Sequence, residues 1–133
     1  MAGVIVVDAN ILIAFLDRDE AHHAAVVDSL AMTADEALAS TALTIAEALV
    51  HPSLAGTASD AERALDSIGL QRLVLGGSDA RSLAELRARS RLRMPDAVVL
   101  HAAQQHHATL CTTDTALARA AESLGVPTLR PGA

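Results

Sequence analysis

Four acidic residues end or interrupt apolar segments that are far apart in the chain. A charge beside an apolar run is costly to desolvate unless it is paired, hydrogen-bonded or bound to a metal. The first and last of these acids have no basic residue close by in the sequence. Carboxylate oxygens are the ligands of hard divalent cations, Mg²⁺ or Mn²⁺ rather than Zn²⁺. The four candidate metal ligands are Asp8, Glu47, Asp96 and Asp114.

A metal site built only from oxygen ligands points to one type of reaction. Such a site commonly binds its cation partly through the phosphates of a substrate. We therefore expect metal-assisted attack of water on a phosphodiester, with one or two cations neutralising the charge that grows on the phosphate.

Each acid also has a purely structural interpretation. Asp8 and Asp114 could cap the helices that follow them. Asp96 comes directly after Pro95 in the first turn of a predicted helix, where the helix dipole favours a carboxylate. Glu47 could lie on a narrow solvent-facing stripe of a mostly apolar helix. The joint pattern, rather than any single acid, favours a functional site.

The apolar pattern predicts strands that alternate with helices. We expect strands over 3–7, 38–41, 70–75, 109–112 and 128–130, and helices over 11–17, 21–32, 43–50, 59–68, 78–91, 95–107 and 115–124. This alternation predicts an α/β sandwich around a mostly parallel sheet. Ligands of such sheets bind outside the carboxyl ends of the strands, so Asp8 and Asp114 should share that edge.

Three element boundaries carry more specific predictions. Asn10 is the expected N-cap of the first helix. The helix over 43–50 should stop before Pro52, because a residue that precedes proline disfavours the helical conformation. Ser59 has Glu62 three residues later, which is the spacing of a capping box.

Composition narrows the functional classes. The 133 residues fit one domain, which we expect to span 1–133. The absence of lysine excludes Walker-type phosphate binding and Schiff-base chemistry. The single cysteine, Cys111, excludes an internal disulfide and fits a reducing cytoplasm. No apolar run reaches the ~20 residues that cross a bilayer, so no membrane partner is expected.

Four short motifs resemble those of PIN-domain ribonucleases and, more closely, of the VapC-type toxins of bacterial toxin–antitoxin pairs. They are Val-Val-Asp8-Ala-Asn10, Ala-Glu47-Ala-Leu, Pro95-Asp96-Ala97 and Thr112-Thr113-Asp114, and they span nearly the whole chain in order. The resemblance implies a PIN-like three-layer sandwich with a mostly parallel central sheet flanked by helices. It also implies a Mg²⁺- or Mn²⁺-dependent endoribonuclease that is neutralised by a small antitoxin and forms a homodimer.

The same resemblance implies a role for individual residues. The four acids become the metal-binding catalytic residues, and Asn10 and Thr113 become polar supports that orient a carboxylate or a water. Many relatives carry a further acid or an aromatic residue shortly after the last aspartate, whereas here Thr115-Ala116-Leu117 follows. The number of metal ions, one or two, therefore stays open.

Arginines are concentrated just before Asp96. Arg87, Arg91 and Arg93 could hold RNA phosphates beside an acidic site that would otherwise repel them. The alternative is a solvated helix face in which Glu85 pairs with Arg89 four residues later. The net charge of −6 shows that the chain as a whole is not a simple nucleic-acid binder.

Other functions remain as alternatives. A PIN-domain nuclease for RNA processing without an antitoxin would carry the same four acids, and a catalytically silent PIN module would bind only a partner. An aspartyl-phosphate enzyme with Asp8 as nucleophile is disfavoured by Asn10 in place of a second aspartate and by the absence of lysine. A zinc site is disfavoured because adjacent histidine pairs point to different faces of a helix.

Overall fold

A computed structural model describes residues 3–133. Its strands are β1 (Val4–Val7), β2 (Ala37–Thr41), β3 (Gln71–Leu73), β4 (Thr109–Cys111) and β5 (Thr128–Leu129). Its helices are α1 (Ala9–Leu16), α2 (His23–Met32), α3 (Ala42–Ala55), α4 (Ala58–Ser67), α5 (Asp79–Ser90), α6 (Met94–Gln105) and α7 (Thr115–Ser123).

The five strands form one sheet in the order β3-β2-β1-β4-β5, and all four pairings are parallel. This confirms the predicted α/β sandwich. In the central strand β1, Val6 is aligned with Ala39 of β2 and with Leu110 of β4. Because every strand runs in the same direction, all carboxyl ends lie at one edge of the sheet.

Hydrophobic residues fill both faces of the sheet. Val6 belongs to a cluster with Leu100 of α6 and Leu117 of α7. Ile5 and Val7 belong to a second cluster, with residues of α1 to α4. Side chains that alternate along a strand point to opposite faces. The β1 residues are therefore apolar without alternation because helices cover both faces.

Helix α3 extends further than predicted. It continues through Pro52 and ends at Gly56, whose φ of 76° is left-handed. The backbone N–H of Thr57 donates to the Pro52 carbonyl at 2.8 Å. Pro52 removes one hydrogen bond, from its own nitrogen to the Ala48 carbonyl, and the helix continues to the glycine cap, which satisfies a carbonyl of the last turn. The N-cap of α4 is Thr57, not Ser59, and it makes no capping hydrogen bond through its side chain.

A polar contact not predicted from the sequence joins α5 to α6. The buried Asp79 Oδ1 lies 2.9 Å from His101 Nε2 and 3.0 Å from Gln105 Nε2. Its other oxygen accepts the Gly76 N–H at 2.7 Å. The hydrogen bond from His101 is the main reason that the pKa of Asp79 lies below its usual value. This contact fixes α6, which carries Asp96 in its first turn.

No helix within residues 3–133 is both long enough and apolar enough to cross a bilayer.

Candidate active site

Asp8 lies directly after β1 and is the N-cap of α1. Its Oδ1 accepts the backbone N–H of Ala9 at 2.8 Å, and its Oδ2 accepts the hydroxyl of Thr112 at 2.8 Å. The prediction that Asn10 caps this helix is wrong, because the aspartate that ends the strand already occupies the extended capping position. Asn10 is the second residue of α1 and is exposed.

The Asp8 carboxyl is in an unfavourable place for a charge. Its residue is only 6% exposed. Burial raises its pKa to about 6, and the charges of Asp96 and Asp114 add to the rise, whereas the hydrogen bonds from Thr112 and Ala9 oppose it. Among residues 3–133, no basic group opposes this rise in the pKa of Asp8. Asp8 therefore lacks the positive partner that a buried carboxylate needs.

Asp96 is the electrostatic link among the four acids. It lies in the first turn of α6, and its side chain is 19% exposed. Burial raises its pKa and Asp114 adds to this, whereas Arg93 lowers it. The charge of Asp96 in turn raises the pKa of Asp8 and of Glu47.

The other two acids approach Asp96 from different elements. Asp114 is the N-cap of α7, and its Oδ1 accepts the Leu117 N–H at 2.9 Å. Glu47 lies on α3. Burial is the largest cause of its raised pKa, and the charge of Asp96 raises it further, whereas the charge of Arg93 lowers it. The structure therefore brings Asp8, Glu47, Asp96 and Asp114 into electrostatic contact near the carboxyl edge of the sheet.

These acids have the chemistry of a divalent-cation site without its closed geometry. All their ligand atoms are oxygens, and a cation would relieve the repulsion between like charges that contributes to the raised pKa of Asp8, Glu47 and Asp96. Among residues 3–133, however, no group of three or more His, Cys, Asp or Glu side chains is arranged so that it could hold a metal ion.

Thr112 is a site residue that the sequence prediction missed. It is fully buried, donates its hydroxyl to Asp8, and accepts the backbone N–H of Asp114 at 3.0 Å. It therefore connects two of the acids directly. Thr113 is half-buried, and neither its side chain nor that of Asn10 makes a hydrogen bond within residues 3–133. The supporting roles of Thr113 and Asn10 remain predictions.

The candidate RNA-binding arginines lie in different settings. Arg93 Nε is 3.8 Å from Asp96 Oδ2, and its side chain is 84% exposed. Arg87 lies in the last turn of α5 and Arg91 just after it, with a left-handed φ of 60°. Both are exposed. Of these three arginines, Arg93 is the one that lowers the pKa of Glu47 and of Asp96.

The alternative interpretation of this segment needs one correction. Glu85 pairs with Arg81, at 3.1 Å, rather than with Arg89. Both are separated from Glu85 by one helical turn, so sequence spacing alone does not choose between them.

A groove beside Glu47 separates α1 from α3. Its volume is about 550 Å³. Apolar side chains from both helices and three carboxylates line it. The apolar residues include Ile13, Leu16, Ala48 and Pro52, and the acids are Asp17, Asp19 and Glu47.

Comparisons with solved structures identify the fold. VapBC2 from Rickettsia felis, bound to a DNA fragment from its promoter, is 15% identical with a TM-score of 0.75, covering 96% of this chain and 98% of that chain. A toxin–antitoxin complex from Klebsiella pneumoniae is 24% identical with a TM-score of 0.71, covering 84% and 87%. FitAcB from Neisseria gonorrhoeae is 22% identical with a TM-score of 0.66, covering 96% and 97%. At these identities the likeness concerns the fold.

Comparison with curated proteins gives no significant match. The family model of the PIN domain matches residues 5–123, which include all four acids. This match confirms the family that the four motifs predicted. The chain belongs to the PIN domain family.

Proposed function

We propose that the protein is a Mg²⁺- or Mn²⁺-dependent endoribonuclease, formed by one domain over 1–133, that acts in the cytoplasm as the toxin of a toxin–antitoxin pair. The observation that carries the proposal is the buried Asp8, whose pKa rises to about 6 with Asp96 and Asp114 as its acidic neighbours. Perturbed carboxylates of this kind concentrate at functional sites.

The proposed metal ligands are Asp8, Glu47, Asp96 and Asp114. When bound, the cation would supply a water of lowered pKa and neutralise charge on the scissile phosphate. Thr112 holds Asp8 and the start of α7 in fixed positions. Arg93 provides positive charge at the Glu47 side of the acids, where it can contact a phosphate that the acids alone would repel. Arg87 and Arg91 would extend this contact along the RNA.

We also propose that an antitoxin covers the groove beside Glu47. The apolar lining fits apolar side chains of a peptide, and the acids that line the groove fit a basic one. The similar structure from Klebsiella pneumoniae is a toxin–antitoxin complex. A homodimer is a further proposal that rests on the family resemblance.

Metal removal tests the proposed function. We expect purified protein to cleave single-stranded RNA with Mg²⁺ or Mn²⁺, to lose this activity in EDTA, and to regain it when Mn²⁺ is added in excess. Cleavage products are followed on denaturing gels. Activity that persists in EDTA would contradict the metal mechanism, and inactivity with every divalent ion would contradict the nuclease. Growth arrest on expression, relieved by a neighbouring short open reading frame, would support the toxin over an RNA-processing nuclease.

Substitution of Thr112 tests the link between the acids. Thr112→Val keeps the shape but removes the hydroxyl that contacts Asp8 and Asp114. We expect kcat for RNA cleavage to fall about 10- to 100-fold, the range typical of residues that orient metal ligands. Thr113→Val is the matched control and should have a smaller effect. Equal activities of the two variants would show that the Thr112 contacts do not position the site.

A further inference from the structure

Arg130 lies at the same edge of the sheet as the acids, on the β5 side. It directly follows β5, which pairs with β4 so that Leu129 is aligned with Cys111. The backbone N–H of Thr112 donates to the Leu129 carbonyl at 3.1 Å. Arg130 therefore emerges next to the strand end that carries Thr112 and Asp114.

A hydrogen bond fixes the Arg130 guanidinium beside α7. Its Nη2 donates to the hydroxyl of Thr115 at 3.0 Å. Thr115 is the first residue of α7, and Asp114 is the N-cap of the same helix. The guanidinium is thus held close to a helix N-terminus, where the partial positive charge of the helix favours anions.

The Arg130 side chain has an unsatisfied donor. Its Nε is shielded from solvent and has no hydrogen-bond partner, and it is the one buried side-chain nitrogen or oxygen within residues 3–133 of which this is true. A buried donor without a partner costs free energy, so such an atom calls for an explanation.

Arg130 differs from the other arginines in having a fixed position without a carboxylate partner. In the described part of the chain, carboxylates lie within 4 Å of Arg63, Arg72, Arg81 and Arg93. Arg130 has no such neighbour there and is held by a neutral hydroxyl instead. A guanidinium has five donors in a planar fork that suits phosphate oxygens. Its charge is therefore positioned but not neutralised.

We propose that Arg130 binds a backbone phosphate of the RNA on the β5 side of the acids, a proposal that rests on the nuclease function proposed above. Arg93 acts on Glu47 and Asp96, whereas Arg130 is next to the helix that Asp114 caps. The two arginines thus lie beside different members of the four acids. An RNA strand that contacts both arginines would place the phosphodiester between these two contacts next to the four acids.

The test compares Arg130→Gln with Arg119→Gln, because Arg119 is an exposed arginine of α7. We expect Arg130→Gln to raise KM for RNA cleavage about 10- to 100-fold, as for one lost charge-assisted hydrogen bond, with kcat changed less than about twofold. Arg119→Gln should match the wild type. Arg130→Lys keeps the charge without the fork and should give an intermediate KM.

Salt dependence provides a readout that a structural role would not change. Binding of labelled single-stranded RNA is measured at increasing salt, with Ca²⁺ in place of Mg²⁺ to slow cleavage. The slope of log K against log salt should fall by about 0.7 for Arg130→Gln, the value for one phosphate contact on a single strand. Thermal unfolding of each variant verifies folding.

The outcomes separate this inference from the proposed function. A wild-type protein that cleaves RNA, with Arg130→Gln unchanged in KM and slope, would overturn the Arg130 contact alone. A lower melting temperature and lower kcat with an unchanged KM would overturn it in favour of a structural role. A wild-type protein that neither binds nor cleaves RNA would overturn both proposals.

Discussion

Asp96→Ala is expected to lower kcat for RNA cleavage by more than about 100-fold, above the range for residues that merely orient metal ligands. Asp96 is the acid whose charge acts on both Asp8 and Glu47, so its loss removes the shared member of the set. The fold should persist. The ion pair with Arg93 is exposed on the arginine side and contributes little, and removing Asp96 relieves repulsion. Single-turnover cleavage and thermal unfolding measure the two effects.

Asp60→Ala is the matched control for this substitution. Asp60 also lies in the first turn of a helix, α4, and also pairs with an arginine three residues away, Arg63. It is exposed and remote in the sequence from the four motifs. We expect it to keep full activity. An active Asp96→Ala enzyme would refute the assignment of the metal site.

Asp8→Asn is expected to stabilise the metal-free protein at pH 8 while abolishing cleavage. A rise in pKa from 3.8 to about 6 corresponds to an upper limit of about 3 kcal/mol of stability lost when the carboxyl ionises in the folded state. Asparagine keeps the oxygen that accepts the Ala9 N–H. It weakens the hydrogen bond with Thr112, which lowers the free energy of unfolding by about 1 kcal/mol. The expected net gain in the free energy of unfolding is about 1–2 kcal/mol.

The pH dependence of this gain follows from the direction of the shift. Well below pH ~4 Asp8 is protonated in both the folded and the unfolded state, so its charge costs nothing, and at pH 4 only a small part of the penalty is present. The penalty grows as pH rises from the unfolded pKa to the folded pKa and is complete above about 6. Urea unfolding at pH 4 and pH 8 should therefore show the stabilisation only at pH 8.

A metal ion should reverse the order of stability at pH 8. Mn²⁺ should stabilise the wild type by binding the folded state, and should stabilise Asp8→Asn much less. Asp66→Asn, on the exposed face of α4, is the control for removing one charge. An Asp8→Asn protein that is less stable than the wild type at pH 8 without metal would show that the capping role of the carboxylate outweighs its burial.

Local patterns were sufficient to predict the sheet and the acids at its edge. Strand β1 is short, apolar and without alternation, which is typical of a parallel strand covered on both faces. Because Asp8 directly follows this strand, the direction of the chain was enough to place it at the carboxyl edge of the sheet. Asp8 can be both a helix cap and a site residue. Its carboxyl caps α1, and the charges of two other acids raise the pKa of the same carboxyl.

Contacts between distant residues could not be predicted in this way. Asp79 and His101 meet because α5 packs against α6, and no spacing rule relates them. Thr112 and Thr113 are adjacent, and only the register of β4 decides which hydroxyl turns toward Asp8. The predicted end of α3 was wrong because Pro52 is the more obvious helix-ending residue in the sequence, whereas the helix ends at the glycine cap, Gly56.

The pairing of β1 with β4 joins two segments that are 104 residues apart in the sequence, as measured from Asp8 to Thr112. Asp8 donates its backbone N–H to the Cys111 carbonyl at 3.0 Å, and its carboxylate accepts the Thr112 hydroxyl. The residue that follows β1 therefore contacts the end of β4 directly. During translation, Cys111 and Thr112 must therefore leave the ribosome before Asp8 gains these neighbours. A chain that is cut before Cys111 lacks both contacts, and its Asp8 has no neighbouring strand end that carries Asp114.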